Sequence, residues 1–258
     1  MNSSVIQTER KGPIALIVIN RPEVHNALDV PTWAKLSEAF SDAERDPAVN
    51  VILITGAGNK AFVAGADLNS LYKRSPLETF EGTLPRAITA IAKSTKPTIA
   101  VLNGYTMGGG LELALACDLR IASENAKLGQ TESNVGILPG GGGTQRLARL
   151  VGVGKAKELI FTGKAISAEE AKNIGLVNQV YPQEKLLDEA FALGEAIAKK
   201  SPLILRIVKK VIDEGIEINL SAALELESFA QSFVFTTDDH LEGIGAFLEK
   251  RQPEYKGK

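Results

Sequence analysis

The chain has 258 residues, 44% of them hydrophobic and 23% charged, with a net charge of −2. This is an ordinary globular composition, large enough to bury a core as one domain or one and a half, and the near-balanced charge gives no long-range attraction to nucleic acid or an anionic membrane. Cys117 stands alone, which excludes an intrachain disulfide, and His25 and His240 have no Cys or His at metal-ligand spacing, so no metal site is expected. The first residues hold no apolar signal-like run and no stretch approaches the length of a membrane span, so a cytoplasmic protein is expected.

Residues 4–9 and 14–19 are predicted as two strands around a Lys11-Gly12-Pro13 turn. A polar loop with one proline follows over 20–28. Asp29 is placed to cap a helix with Pro31 in its first turn, and Trp33, Leu36 and Phe40 mark its buried face. Residues 49–55 form a continuous apolar strand, followed at once by Gly56-Ala-Gly58-Asn-Lys-Ala61. A G-x-G-x-x-A after a strand suits a dinucleotide site only if a helix starts there and an acid ends a second strand about 20 residues on. Here residues 61–68 are short and turn-like, and Ser-Pro-Leu stands near position 76, so that reading fails. Residues 69–95 are less regular: Tyr72, Lys73 and Arg74, then a helix over 77–92 interrupted by Gly82 and Pro85.

Residues 97–132 hold the chemistry, and the rest of the chain reads as the scaffold that positions them. Residues 98–102 have the length of a buried strand, Gly108 to Gly110 mark a close backbone approach, and Leu111 to Ala116 form an apolar helix broken by one carboxylate, Glu112. An acid in the first turn of a buried helix is either a partner of the helix dipole or a catalytic group. Another short strand is expected at 119–122. A second acid, Glu132, then stands 20 positions beyond the first, again beside glycines, and two such carboxylates suit general acid/base work if the fold joins them. The four glycines at 140–143 lead into a helix over 144–150. Such a run can cradle a phosphate, but without a following Lys-Ser/Thr pair it is not a P-loop.

Ser167-Ala-Glu-Glu170 is a capping box before a helix that Gly175 ends, and residues 177–181 read as a last strand. Beyond about 182 the alternation of strand and helix stops. Four helical stripes follow: Leu187, Ala190, Phe191 and Gly194; Ile204, Ile207, Val208 and Val211; Leu226, Phe229, Ala230 and Phe233; Leu241, Ile244, Gly245 and Leu248.

Two of these segments carry a resemblance. Asn103-Gly-Tyr-Thr-Met-Gly-Gly-Gly-Leu-Glu112, and Gly129-Gln-Thr-Glu132 through Gly140-Gly-Gly-Gly-Thr-Gln-Arg146, resemble the signature of the enoyl-CoA hydratase/isomerase (crotonase) family, and the likeness runs from Asn20-Arg-Pro to Glu249-Lys-Arg. The resemblance implies an α/β fold: residues 1–200 as a spiral of ββα turns holding the active site, and 201–258 as a C-terminal helical trimerisation region. It implies a homo-oligomer, either a trimer or a dimer of trimers, that is, a homohexamer. The expected reaction is hydration of a 2-trans-enoyl-CoA in fatty-acid or related acyl-CoA metabolism, by a lyase that needs no cofactor because coenzyme A enters with the substrate.

The resemblance makes Glu112 and Glu132 the catalytic pair, with Glu112 on the water and Glu132 on the α-proton. Ala64-Gly-Ala-Asp-Leu68 matches the turn that supplies one oxyanion-hole amide, at Ala66, with Gly109 supplying the second; fixed amides stabilise charge growing on a thioester oxygen without reorganising. Ala64, Asp67 and Leu68 are then expected at the substrate as well, residues 69–95 at the acyl chain, and Lys250 or Arg251 at the coenzyme A phosphates. The family often has a basic residue where Glu23 stands, and a proline and an apolar residue where Thr131 and Ser133 flank Glu132. The alternatives are a Δ3,Δ2-enoyl-CoA isomerase, which needs only one base, and a non-catalytic acyl-CoA- or RNA-binding relative. The balanced charge speaks against RNA.

Overall fold

In the computed structural model, which describes residues 4–72, 74–80 and 82–258, the chain opens on a hairpin; Lys73 lies outside the described residues. Strands β1 (Ile6–Lys11) and β2 (Ile14–Ile19) pair antiparallel around Gly12. Helix α1 (Val30–Arg45) starts at Asp29, whose carboxylate accepts the Thr32 N–H at 2.9 Å, and it buries Trp33, Leu36 and Phe40. Then come β3 (Val51–Gly56), β4 (Ala61–Val63), and helices α2 (Leu68–Tyr72), α3 (Pro76–Phe80) and α4 (Thr83–Ala92). The helix expected over 77–92 is thus divided. Gly82 caps α4, and Pro85 falls in the first turn, where its missing N–H has no helical partner to lose.

Strands β5 (Thr98–Leu102) and β6 (Tyr105–Met107) lead to α5 (Gly109–Ala116). Strands β7 (Leu119–Ser123) and β8 (Lys127–Gly129) lead, through a 3₁₀ turn at Glu132–Val135, to α6 (Gly143–Val151) and α7 (Val153–Thr162). Strand β9 (Ile166–Ser167), helix α8 (Ala168–Asn173) and strand β10 (Gln179–Tyr181) complete the α/β part. Ser167 caps α8 by accepting the Glu170 N–H, while the Glu170 carboxylate turns to Lys155 instead of closing the box.

Among the described residues the strands form two sheets, ordered β1-β2-β3-β5-β7-β10 and β4-β6-β8-β9. Apart from the β1–β2 and β8–β9 pairs, neighbours are parallel. Each of β3–β4, β5–β6 and β7–β8 lays one strand in each sheet before a helix returns, which is the expected spiral of ββα turns.

Alternation along the strands makes two cores. From β2, Ile17 and Ile19 face the side holding Leu36, Phe40, Ile88 and Leu111. Ile14 and Leu16 face the other side with Leu53, Ile99 and Val101, and helix α9 (Leu186–Ala198) covers that side with Leu186, Ala190 and Phe191. Leu186 faces inward rather than the expected Leu187, which is 43% exposed. Gly194 belongs to the same face: a Cβ there would come within 2.9 Å of Ile14 Cδ1.

The C-terminal region is helical, with α10 (Pro202–Gly215), α11 (Leu220–Val234) and α12 (Asp238–Leu248). Their apolar stripes are largely open: Phe229 is 72% exposed, Phe247 82% and Leu248 75%. Ion pairs join the region to the rest, Lys209 of α10 with Asp118 just beyond α5 and Arg149 of α6 with Glu217 at 3.1 Å, and within the region buried Ser201 Oγ donates to Asp239 of α12 at 2.6 Å. Among the described residues no helix is long and apolar enough to cross a membrane.

Candidate active site

Helix α5 begins with a backbone turn that side-chain-bearing residues rarely adopt. Gly108, its N-cap, has φ 51° and ψ −121°. Gly110, one residue into the helix, sits against β4 so closely that a Cβ would lie 2.1 Å from the Val63 carbonyl. This seats the N-terminus of α5 between the two sheets and places Glu112, 2% exposed, in its first turn.

Glu112 Oε1 accepts two backbone N–H groups, Gly141 at 2.7 Å and Gly143 at 2.8 Å. The glycine run therefore cradles an anion, but the anion is a side chain of the protein. A Cβ on Gly141 would lie 2.8 Å from Glu112 Oε2, and one on Gly143 3.0 Å from Oε1, so neither position has room for a side chain. Gly143 is also the first residue of α6, whose positive end faces the carboxylate. Burial pushes the Glu112 pKa up to about 7; the charge of Glu132 adds to the rise, and the two glycine amides and Arg146 oppose it.

Glu132 enters from the 3₁₀ turn after β8. Its Oε1 accepts the Gln130 side-chain amide at 2.9 Å, whereas its buried Oε2 has no hydrogen-bond partner among the described residues. Burial raises its pKa as well. A Cβ on Gly108 would lie 3.3 Å from Glu132 Oε1, so both acids converge on the turn that starts α5.

The two expected oxyanion donors fall on this frame. Gly109 is the first residue of α5 and is buried. Ala66 is held by a parallel bridge to Leu28, through Leu28 N–H to the Gly65 carbonyl at 3.0 Å and Asp67 N–H to the Leu28 carbonyl at 3.2 Å. Among the described residues neither the Ala66 nor the Gly109 N–H donates to a protein acceptor. Ala64 N–H is spent on the His25 carbonyl, Asp67 caps α2 by accepting the Ser70 N–H, and Leu68 is 60% exposed.

An apolar wall comes from α4. Leu84 Cδ1 lies 3.4 Å from where a Gly109 Cβ would be, and Ile88 Cδ1 lies 2.5 Å from the corresponding point on Gly141. Lys250 stands apart: exposed at the end of α12, in the left-handed conformation, with no contact to either acid among the described residues. Its neighbour Arg251 is taken up by Glu242, at 2.6 and 2.9 Å, and by Glu249.

Sequence reasoning missed Gln130, Gly141, Gly143 and Arg146 as parts of the site, and Asn26 as its scaffold. Asn26, fully buried, donates to the Ala57 and Ala61 carbonyls and accepts the Arg21 N–H, which fixes the 20–28 loop against the connection between β3 and β4. The signal for the glycines was visible, since four in a row before a helix describe an anion cradle; their partner was not.

Comparison with known proteins agrees with this geometry. The profile of the family described as enoyl-CoA hydratase/isomerase matches residues 9–258. A crotonyl-CoA hydratase of Syntrophomonas wolfei is 43% identical over 252 residues, covering 97% of each chain. A short-chain-enoyl-CoA hydratase of Clostridium acetobutylicum is 41% identical over 95% of each chain. The crystal structure of an enoyl-CoA hydratase from Bacillus anthracis superposes with a TM-score of 0.95 at 41% identity, over 99% of this chain and all of that one.

Proposed function

The chain belongs to the enoyl-CoA hydratase/isomerase family, and we infer that within it the protein is an enoyl-CoA hydratase, a lyase that adds water reversibly to a 2-trans-enoyl-CoA to give the 3-hydroxyacyl-CoA. The observation that carries this reading is the pair of buried carboxylates with raised pKa at one helix start, one anchored by Oε1 and the other with a bare Oε2.

In this reading the Ala66 and Gly109 amides hold the thioester oxygen. They stabilise the negative charge it gains as the β-carbon is attacked, as preorganised donors do in a water-poor site. Glu112, ionised, takes a proton from water through Oε2, its Oε1 being committed to Gly141 and Gly143. The water oxygen bonds to the β-carbon. Glu132, protonated, gives its proton to the α-carbon from the same side, so that addition is syn; dehydration reverses both transfers. The thioester itself makes the β-carbon electrophilic, and coenzyme A arrives as part of the substrate. Leu84 and Ile88 bound the acyl chain, and the relatives named for crotonyl-CoA and short-chain substrates support a short one. Lys250, free of the ion pairs that hold Arg251, is the cation offered to the coenzyme A phosphates, and Ala64, Asp67 and Leu68 border the thioester. The reading extends to a cytoplasmic trimer or dimer of trimers acting in acyl-CoA metabolism.

An isomerase needs one base, so retention of both acids favours hydration. The test is loss of the conjugated enoyl thioester absorbance across acyl-chain lengths. Glu112→Gln and Glu132→Gln should each lower kcat about 10²-fold or more, as lost acid/base catalysis does. In deuterated water Glu112→Gln should still exchange the α-proton of a saturated thioester, while Glu132→Gln should fail at both. Conversion of 3-enoyl to 2-enoyl thioesters by a wild-type protein that hydrates none of them would make it an isomerase.

A further inference from the structure

The glycine loop whose amides hold Glu112 is tied down by a residue behind it. Arg146, in the first turn of α6, sends Nη1 to the Gly141 carbonyl at 2.8 Å, and its own N–H goes to the Gly142 carbonyl at 2.8 Å. The side-chain bond fixes the Gly141–Gly142 peptide, which lies between the two N–H groups that reach Glu112 Oε1, while the backbone bond is the first turn of α6 and turns the Gly142–Gly143 peptide so that the Gly143 N–H faces the carboxylate. The guanidinium folds over Gly142, whose φ of 100° and absent side chain allow it: a Cβ there would lie 2.1 Å from Nη1. Arg146 is half-buried, and among the described residues no carboxylate lies within ion-pair distance of it. A half-buried guanidinium without a paired carboxylate is costly to keep, yet this one stands behind a loop that grips a buried acid.

We propose that Arg146 is a positioning residue for Glu112: it locks the glycine loop so that two amides pin one carboxylate oxygen, leaving the other to water. The proposal rests on Glu112 acting as the base of hydration. The charged groups facing Glu112 are Glu132, from the turn after β8, and Arg146, from α6; the first raises its proton affinity and the second lowers it. Losing the cation therefore makes Glu112 harder to ionise. Because the base must be ionised, the acidic limb of the kcat–pH profile must move to higher pH.

The experiment compares wild type, Arg146→Gln and Arg146→Lys by kcat and KM across pH, normalised to folded protein by circular dichroism. Arg146→Gln should lose about tenfold or more in kcat with KM within about twofold, the pattern of a contact felt in the transition state, and its acidic limb should shift upward. Arg146→Lys keeps the charge without the planar fork, so its limb should stay near that of wild type while kcat falls by less. A loss confined to KM, or an unchanged limb in Arg146→Gln, overturns the proposal. Carbon-13 NMR titration of side-chain-labelled glutamates, with Glu112→Gln to assign the signal, reads the Glu112 pKa without turnover. The proposal stands or falls there on whether that pKa rises in Arg146→Gln, even if the wild type proves not to hydrate enoyl thioesters.

Discussion

A carboxylate at 2% exposure with a pKa near 7 is only partly ionised at neutral pH, and its charged form strains the fold that holds it. Its folded-state value lies above the unfolded value of 4.5, so the stability it contributes is present in full below about pH 4.5 and is lost as pH rises through about 7. Glu112→Gln removes the charge and keeps the shape. It should therefore be more stable than wild type at pH 8, by about 3 kcal/mol for a shift of this size, with the gap closing toward pH 4.5 in melting curves. Equal melting at pH 8 would mean that the two glycine amides offset the burial completely. Catalysis follows the opposite course, since hydration needs the ionised form and should fall with acid below about pH 7. At this scale the sequence showed the two acids, because each stands beside glycines. Gln130 and Arg146 were opaque: each acts through a contact with a residue whose position depends on how the chain folds back, and neither side chain is unusual by itself.

At the scale of the element, α5 is fixed at both ends. Its start is the site, and its finish is held by Arg120, 5% exposed, which donates to the Cys117 carbonyl at 2.7 Å, to the Leu176 carbonyl at 2.9 Å and, more weakly, to those of Ala114 and Asp118. A cation on the last carbonyls suits the negative end of the helix. Arg120→Met should cost about 3 kcal/mol or more, since buried acceptors left unpaired cost about 1–3 kcal/mol each; urea unfolding measures it. A loss under about 0.5 kcal/mol would mean that water replaces the guanidinium. Helices with broad apolar faces, α1 and α5 among them, were legible in the sequence, as were the long strands of the first sheet. Strands β6, β8 and β9 were not, because two or three residues are too few to show alternation. Helix α7 was missed for a related reason: it buries only Ala156 and Leu159, too narrow a stripe to stand out.

For the whole molecule, the open apolar faces of α10 to α12 exceed what this chain covers, and the proposed assembly gives them a use. Ending the chain near Ser201 should abolish the oligomer in light scattering and, by removing Lys209 from Asp118, loosen α5 and its activity. A soluble, active monomer would instead make these helices a dispensable cover. The sheet carries a consequence in time. Its strands are assembled in an order that leaves the face of Ile14, Leu16, Leu53, Ile99 and Val101 bare until α9 arrives, after every strand of that sheet has been made. At ribosomal speed the delay between the end of β7 and the end of α9 is on the order of ten seconds. Through that interval the nascent chain has no cover of its own for this parallel-stranded apolar surface, which makes it the stretch of synthesis in which the chain is most open to aggregation.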